Sequence, residues 1–342
     1  VTTDNLRAVL NAIAAQPDSG TGTDALSELQ GVIDSAVTAY QSALTAIQTA
    51  AQNNNATATN PTVAQYAALG VTGVSAQNLG AMNSALNDAD ITGTQANTSA
   101  KVQTLVDAYN TILGTADGVP GNAADPTQAQ YEAVGVNGVD TAPELSLLGE
   151  VIDAKATTDV DTVPKVQALA DAVQAVMNGN ASQAQLEALG VTGVTPDNLS
   201  TVQAALAAAV DATELNTQAG VQAVIDNAVY GLAAIEAAAQ NNSATATSPS
   251  VAQYQAVGVT GVTTANLASI NSALNEVDVA GAQANTAAKV QAIVDGYNAI
   301  LNNADDATAA NPTQANYAAI GVNGVDTAQE VTLLGDVIDA KA

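Results

Sequence analysis

Four aspartates stand at matching places in apolar-striped segments and are the first residues to test for chemistry: Asp34, Asp107, Asp226 and Asp295. Paired carboxylates can act as acid and base. All four, however, lie beside the apolar stripe on faces expected to be solvated. The chain has no His and no Cys, so the commonest general base, the commonest metal ligand and every thiol nucleophile are missing. The reading is a protein that is not an enzyme, with no catalytic residue assigned.

Calcium is the better candidate among cofactors. Asp88-Ala-Asp90 and Asp305-Asp306 would supply hard oxygen ligands. Neither has the twelve-residue spacing with a closing Glu that an EF-hand needs. The loop Gly114–Asn122 holds one acid, Asp117. No metal ligand and no cofactor-binding residue is therefore assigned. Gly-Val-Thr-Gly-Val, at 70–74, lacks the preceding strand and the Lys of a phosphate cradle and reads as a helix–helix turn. Tyr66, Tyr131, Tyr254 and Tyr317 share one position, with Leu186 in the same place elsewhere. A position that accepts Leu is expected in the core, with the Tyr hydroxyl reaching the surface.

Those residues must be positioned by something, and the chain's recurrences say what. The glycine pairs Gly70/Gly73, Gly135/Gly138, Gly190/Gly193, Gly258/Gly261 and Gly321/Gly324 mark five copies of one turn. Their spacings also recur: Gly70 to Gly258 is 188 residues and Gly135 to Gly321 is 186. Units of three lengths, A, B and C, thus cycle as a triplet, the signature of a tandem array.

Within unit A, Thr62 and Gln65 form a capping-box pair, repeated at Thr127/Gln130, Ser182/Gln185, Ser250/Gln253 and, more weakly, Thr313/Asn316. Helix one is predicted from Thr62 to Leu69 and ends at Gly70, a residue free to turn left-handed. Ser75, Asp140, Thr195, Thr263, Asp326 and Thr2 are expected to cap helix two. Its face carries Leu79, Met82 and Leu86, or Leu145, Leu148 and Ile152 in unit B. Helix three has the widest stripe: Val102, Leu105, Val106, Tyr109, Ile112 and Leu113, repeated from Val290 to Leu301.

The predicted fold is all-α, a tandem array of small antiparallel three-helix bundles in a triplet super-repeat of about 188 residues. The expected units are a truncated C unit at 1–60, an A unit at 61–119, a B unit at 120–178, a C unit at 179–246, an A unit at 247–307 and a truncated B unit at 308–342. Val1-Thr-Thr-Asp-Asn-Leu6 matches Val194-Thr-Pro-Asp-Asn-Leu199, so the chain is read as opening inside a unit. If the array continues, roughly 37 residues resembling 157–193 are expected after Ala342.

Composition narrows the partners. Net charge is −27, from 33 acidic and 6 basic side chains, which disfavours nucleic acid. No apolar run is long enough to span a membrane. Aromatic residues are 2% and all are Tyr, so Ala, Val, Leu and Ile must build the cores. The expected partners are neighbouring repeats of the same chain, with self-association into fibres as a further option.

Units of the form PTVAQYAALGVTGVSAQNLGAMNSALND followed by SAKVQTLVDAYNTIL resemble tandem repeats of large bacterial surface adhesins and biofilm-associated proteins. The order of helices within a unit is also similar to small three-helix modules of bacterial surface proteins. The resemblance implies an extracellular location at the bacterial cell surface and a structural role, as a stalk or fibre segment of an adhesin or filament. The alternative from another class is a repeated binding module for a host protein or glycan, acting through avidity.

Overall fold

The computed structural model describes residues 1–17, 19–53, 59–209, 214–241, 247–305 and 309–341. They form an all-α protein, with no strand among the described residues beyond an isolated bridge between Asp117 and Ala156. The helices are α1 (Leu6–Ala14), α2 (Leu26–Asn53), α3 (Val63–Ala68), α4 (Leu79–Leu86), α5 (Ser99–Thr115), α6 (Gln128–Ala133), α7 (Ala142–Asp153) and α8 (Val163–Met177). They continue with α9 (Gln183–Ala188), α10 (Leu199–Ala208), α11 (Gln218–Asn241), α12 (Val251–Ala256), α13 (Leu267–Leu274), α14 (Ala287–Asp305), α15 (Gln314–Ala319) and α16 (Ala328–Asp339). Two compact units divide the chain, Val1–Gln174 and Ala175–Ala342.

Six-residue helices are too short to hold themselves in water, so their ends carry much of the specification. All five start with a capping pair, complete in both directions at Thr62/Gln65, Ser182/Gln185, Ser250/Gln253 and Thr313/Asn316; at Thr127/Gln130 the Gln130 side chain accepts from Thr127 N at 2.8 Å. Asn316 performs the same reciprocal bonding as Gln, so the weaker fifth pair is complete. Each of these helices runs into a left-handed glycine, Gly70 at φ 73° and Gly135 at φ 95° among them. A Cβ at such an angle is penalised, which is why this position is Gly in every copy.

The expected caps of the next helices are displaced. In α4, α10, α13 and α1 the residue preceding the helix is Asn78, Asn198, Asn266 and Asn5, three residues beyond Ser75, Thr195, Thr263 and Thr2. The Asn side chain turns back instead: Asn78 Oδ1 accepts from Ser75 N at 2.7 Å and its Nδ2 donates to Gly73 O at 2.7 Å. It therefore closes the turn before the helix starts. In α7 and α16 the caps are Thr141 and Thr327, one residue past Asp140 and Asp326; Thr327 and Glu330 bond in both directions, and Glu144 accepts from Thr141 N at 3.0 Å.

Burial follows the stripes. Val102, Val106, Tyr109 and Ile112 are fully buried on α5, and Leu113 is half-buried. In the first unit α2 packs on α1 and α3, and α5 on α4, α6 and α7. In the second, α11 packs on α10 and α12, and α14 on α13, α15 and α16. One continuous core there joins Ile235 and Ala239 of α11 to Tyr254, Ile270, Val290 and Ile320. A long helix thus serves the short helices on both sides of it in sequence. Close approach needs a small residue: a Cβ on Gly231 of α11 would lie 2.9 Å from Gln253 O, and one on Gly296 of α14 2.7 Å from Asn316 O.

Candidate functional site

The four striped aspartates have one shared task. Asp107 accepts from Gln103 Nε2 at 2.7 Å, one helical turn away on α5. The other Nε2 hydrogen of Gln103 goes to Thr72 O at 3.0 Å, and Gln103 Oε1 accepts from Thr72 N at 2.9 Å. Thr72 lies between Gly70 and Gly73, in a turn whose backbone groups have no helix or sheet to join. One primary amide supplies both partners, as a neighbouring peptide would. The carboxylate holds the amide in the required orientation.

This clamp recurs at three of the other four glycine turns. Gln167 grips Asn137 and is held by Asp171; Gln222 grips Thr192 and is held by Asp226; Gln291 grips Thr260 and is held by Asp295. Gln30 and Asp34 form the same pair at 2.8 Å on α2. The sequence signal is an aspartate four residues after a glutamine, a spacing that puts both on one helix face. Read as a solvated charge, the aspartate conceals the glutamine it orients.

The candidate calcium loop is spent in a similar way. Asp88 accepts from Asp90 N at 3.0 Å, and burial holds its carboxyl above the ordinary range, with the charge of Asp90 adding to this against the backbone bond. Asp90 in turn accepts from Asn137 Nδ2 at 2.6 Å. In the second unit Asp278 accepts from Asn323 Nδ2 at the same 2.6 Å. These carboxylates tie the exit of one helix to the glycine turn that follows. Asp306 lies outside the described residues, as does the side chain of Asp305. Among the described residues no three acidic groups are placed to hold a metal ion together. In the loop Gly114–Asn122, Asp117 accepts from Val119 N and Asn122 Nδ2, both at 2.8 Å, while Gly121 N donates to Asp153.

The recurring tyrosines are core residues, as expected, but their hydroxyls do not reach the surface. Tyr66 and Tyr254 are fully buried, and each donates to an Asn on the next helix: Tyr66 to Asn83 at 3.1 Å, Tyr254 to Asn271 at 2.8 Å. Each Asn then donates to the carbonyl of the proline ahead of the Tyr helix, Pro61 or Pro249, at 2.9 Å. Burial pushes both phenols far above the ordinary Tyr range. At the corresponding place facing Tyr131 stands Gly149, and the Tyr131 hydroxyl has no protein partner. Burial raises its pKa too, and the negative charge of Asp125 adds to that.

No protein-family model matches the chain, and no curated protein and no solved structure matches it. No described helix is long and apolar enough to cross a membrane. The residues that recur form caps, turns, clamps and core. Among the described residues, none of these recurring groups lines a shared cluster of acidic side chains placed to hold a metal ion.

Proposed function

We propose that this chain is a structural extracellular repeat protein, a stalk or fibre segment built from three-helix units in a triplet of about 188 residues. In this reading the units are not separate beads. The third helix of one unit also packs on the first helix of the next, as α5 does on α6 and α14 on α15. Stability is then shared between neighbours, the arrangement by which small repeats that fold poorly alone become stable.

The observation that carries the reading is the fate of the repeated polar residues. The Tyr–Asn–Pro relay recurs with each residue 188 positions on, and the Asp90–Asn137 tie reappears as Asp278–Asn323. These groups are spent on holding helices to one another and to turns. A binding array would also repeat an exposed contact patch. Among the described residues an exposed apolar patch does not repeat: Tyr230 aligns with Thr38 and Val277 with Ala89, and the exposed Leu333 and Val337 have buried counterparts in Leu147 and Val151. That favours the spacer over the repeated binding module.

The surface location rests on the likeness to adhesin repeats, with which the acidic, thiol-free composition is compatible. The role as a spacer is tested by length. Electron microscopy of the chain and of a version carrying one more 188-residue triplet should show isolated rods that grow by a constant increment. Ordered fibres would shift the reading to a filament subunit, and compact particles that do not lengthen would refute it.

A further inference from the structure

The second unit contains a groove of about 370 Å³ on α13, α14, α15 and α16, lined by Ser272, Tyr297, Ile300, Ile320, Leu334 and Ile338. The matching residues of the first unit are Ser84, Tyr109, Ile112, Val134, Leu148 and Ile152. There the groove is filled. Val160 and Val163, both fully buried, occupy it as the chain leads into α8. Tyr109 donates to Val160 O at 3.2 Å, and Ser84 Oγ accepts from Val163 N at 2.9 Å.

The same side chains differ in exposure in the direction this filling requires. Tyr109, Ile112, Leu148 and Ile152 are fully buried, whereas Tyr297, Ile300, Leu334 and Ile338 are half-exposed. Beside the groove on α16, Leu333 is 66% and Val337 47% exposed, against 0% and 1% for their counterparts Leu147 and Val151. An apolar row of this kind, matched to a buried twin, marks a surface made to be covered.

We infer that this groove is a docking site for a polypeptide segment of the Val160–Val166 type. Its occupant has valines three residues apart leading into an apolar-striped helix like α8. Tyr297 would donate to the carbonyl at the first valine, as Tyr109 does, and Ser272 would accept from the amide at the second. The unpaired amide at the helix start and the two valine side chains give the recognition polarity and register. A comparable hydroxyl-to-helix-start contact exists within the second unit, where Thr201 Oγ1 accepts from Ala287 N at 3.2 Å. The inference concerns the groove alone and is independent of the spacer reading.

The test extends the full chain after Lys341-Ala342, the counterparts of Lys155-Ala156, with the sequence of residues 157–177. Hydrogen exchange of α16 amides is then compared with and without the extension. Docking should slow their exchange by about tenfold or more and raise the melting temperature of the extended chain. A second extension, with aspartate substituted at the positions of Val160 and Val163, should abolish both effects. Unchanged α16 exchange with the valine extension, or equal protection from the aspartate version, would overturn the inference. Circular dichroism confirms that each extended chain folds.

Discussion

Gln103 and Thr72, 31 residues apart, exchange two hydrogen bonds through a single side-chain amide, at 2.9 and 3.0 Å. The geometry makes Asp107 a positioning residue for Gln103, since it takes the hydrogen that Thr72 leaves over. Replacing Gln103 with Ala should therefore cost more than replacing Asp107. The glutamine change removes two bonds to backbone; the aspartate change removes only the restraint on a side chain. An exposed hydrogen bond of this kind is worth about 0.5–1.5 kcal/mol. With two such bonds lost, Gln103→Ala should lower stability by about 1–3 kcal/mol and speed exchange of the Thr72 amide; Asp107→Ala should do so by less. Urea denaturation with amide exchange checks the order, and a larger effect at Asp107 would reassign the clamp.

The buried phenols separate two sites that look alike in sequence. Tyr66→Phe removes the donor to Asn83 and leaves a buried amide oxygen short of a partner, at a cost of about 1–3 kcal/mol. Tyr131→Phe removes a hydroxyl that bonds no protein atom and should be close to neutral or stabilising. Thermal unfolding of the two variants under one condition measures the difference. Equal losses would mean that burial of the ring, not the Asn relay, sets the value of Tyr66.

The helices were legible because their signals are local. Capping pairs, left-handed glycines and the stripe of α5 each fall within a few residues, and they were found where the pattern put them, with only the Thr127 box bonded in one direction. What eluded the sequence was pairing over distance. Asn83 sits among Met82 and Leu86 and looks like a flaw in an apolar face until Tyr66, seventeen residues back, is seen to need it. The caps of α4 and α13 were misplaced for a related reason. Ser75 is a good cap by type, but Asn78 can reach both Ser75 N and Gly73 O, and it delays the helix by a turn. The aspartates invited a chemical reading because their glutamine partners carry no charge to draw attention.

Two helical glycines should respond to alanine with opposite sign. Gly80 in α4 has nothing within 4 Å of a new Cβ, so Gly80→Ala should gain up to about 1 kcal/mol from helix propensity. At Gly231 the Cβ would meet Gln253 O at 2.9 Å and Val257 Cγ1 at 3.2 Å. The backbone of α12 cannot move aside without loosening its packing on α11. Gly231→Ala should lose stability despite the same gain in propensity. Chemical denaturation of both variants decides it, and a stabilised Gly231→Ala would show that α11 and α12 are less closely fitted than their backbones indicate.

Acid should act on the first unit through Asp125. Its carboxyl is held above the ordinary range by burial first, and then by the charges of Asp153 and Glu150. A carboxyl raised in the folded state is a liability when ionised. The strain is present above the folded-state pKa and is relieved as pH falls through that value toward the ordinary carboxylate pKa. Asn311 occupies the matching position in the second unit, where its Nδ2 donates to Asp336 at 3.2 Å and to Thr332 O at 3.4 Å. An amide there does permanently what protonation would do for Asp125. Asp125→Asn should therefore raise the melting temperature at neutral pH, and the advantage should shrink as the pH drops into the carboxylate range. Melting curves of both proteins between neutral and acidic pH test the sign. A variant whose advantage grows on acidification would mean that ionised Asp125 stabilises the fold, through a contact stronger than its repulsion from Asp153 and Glu150.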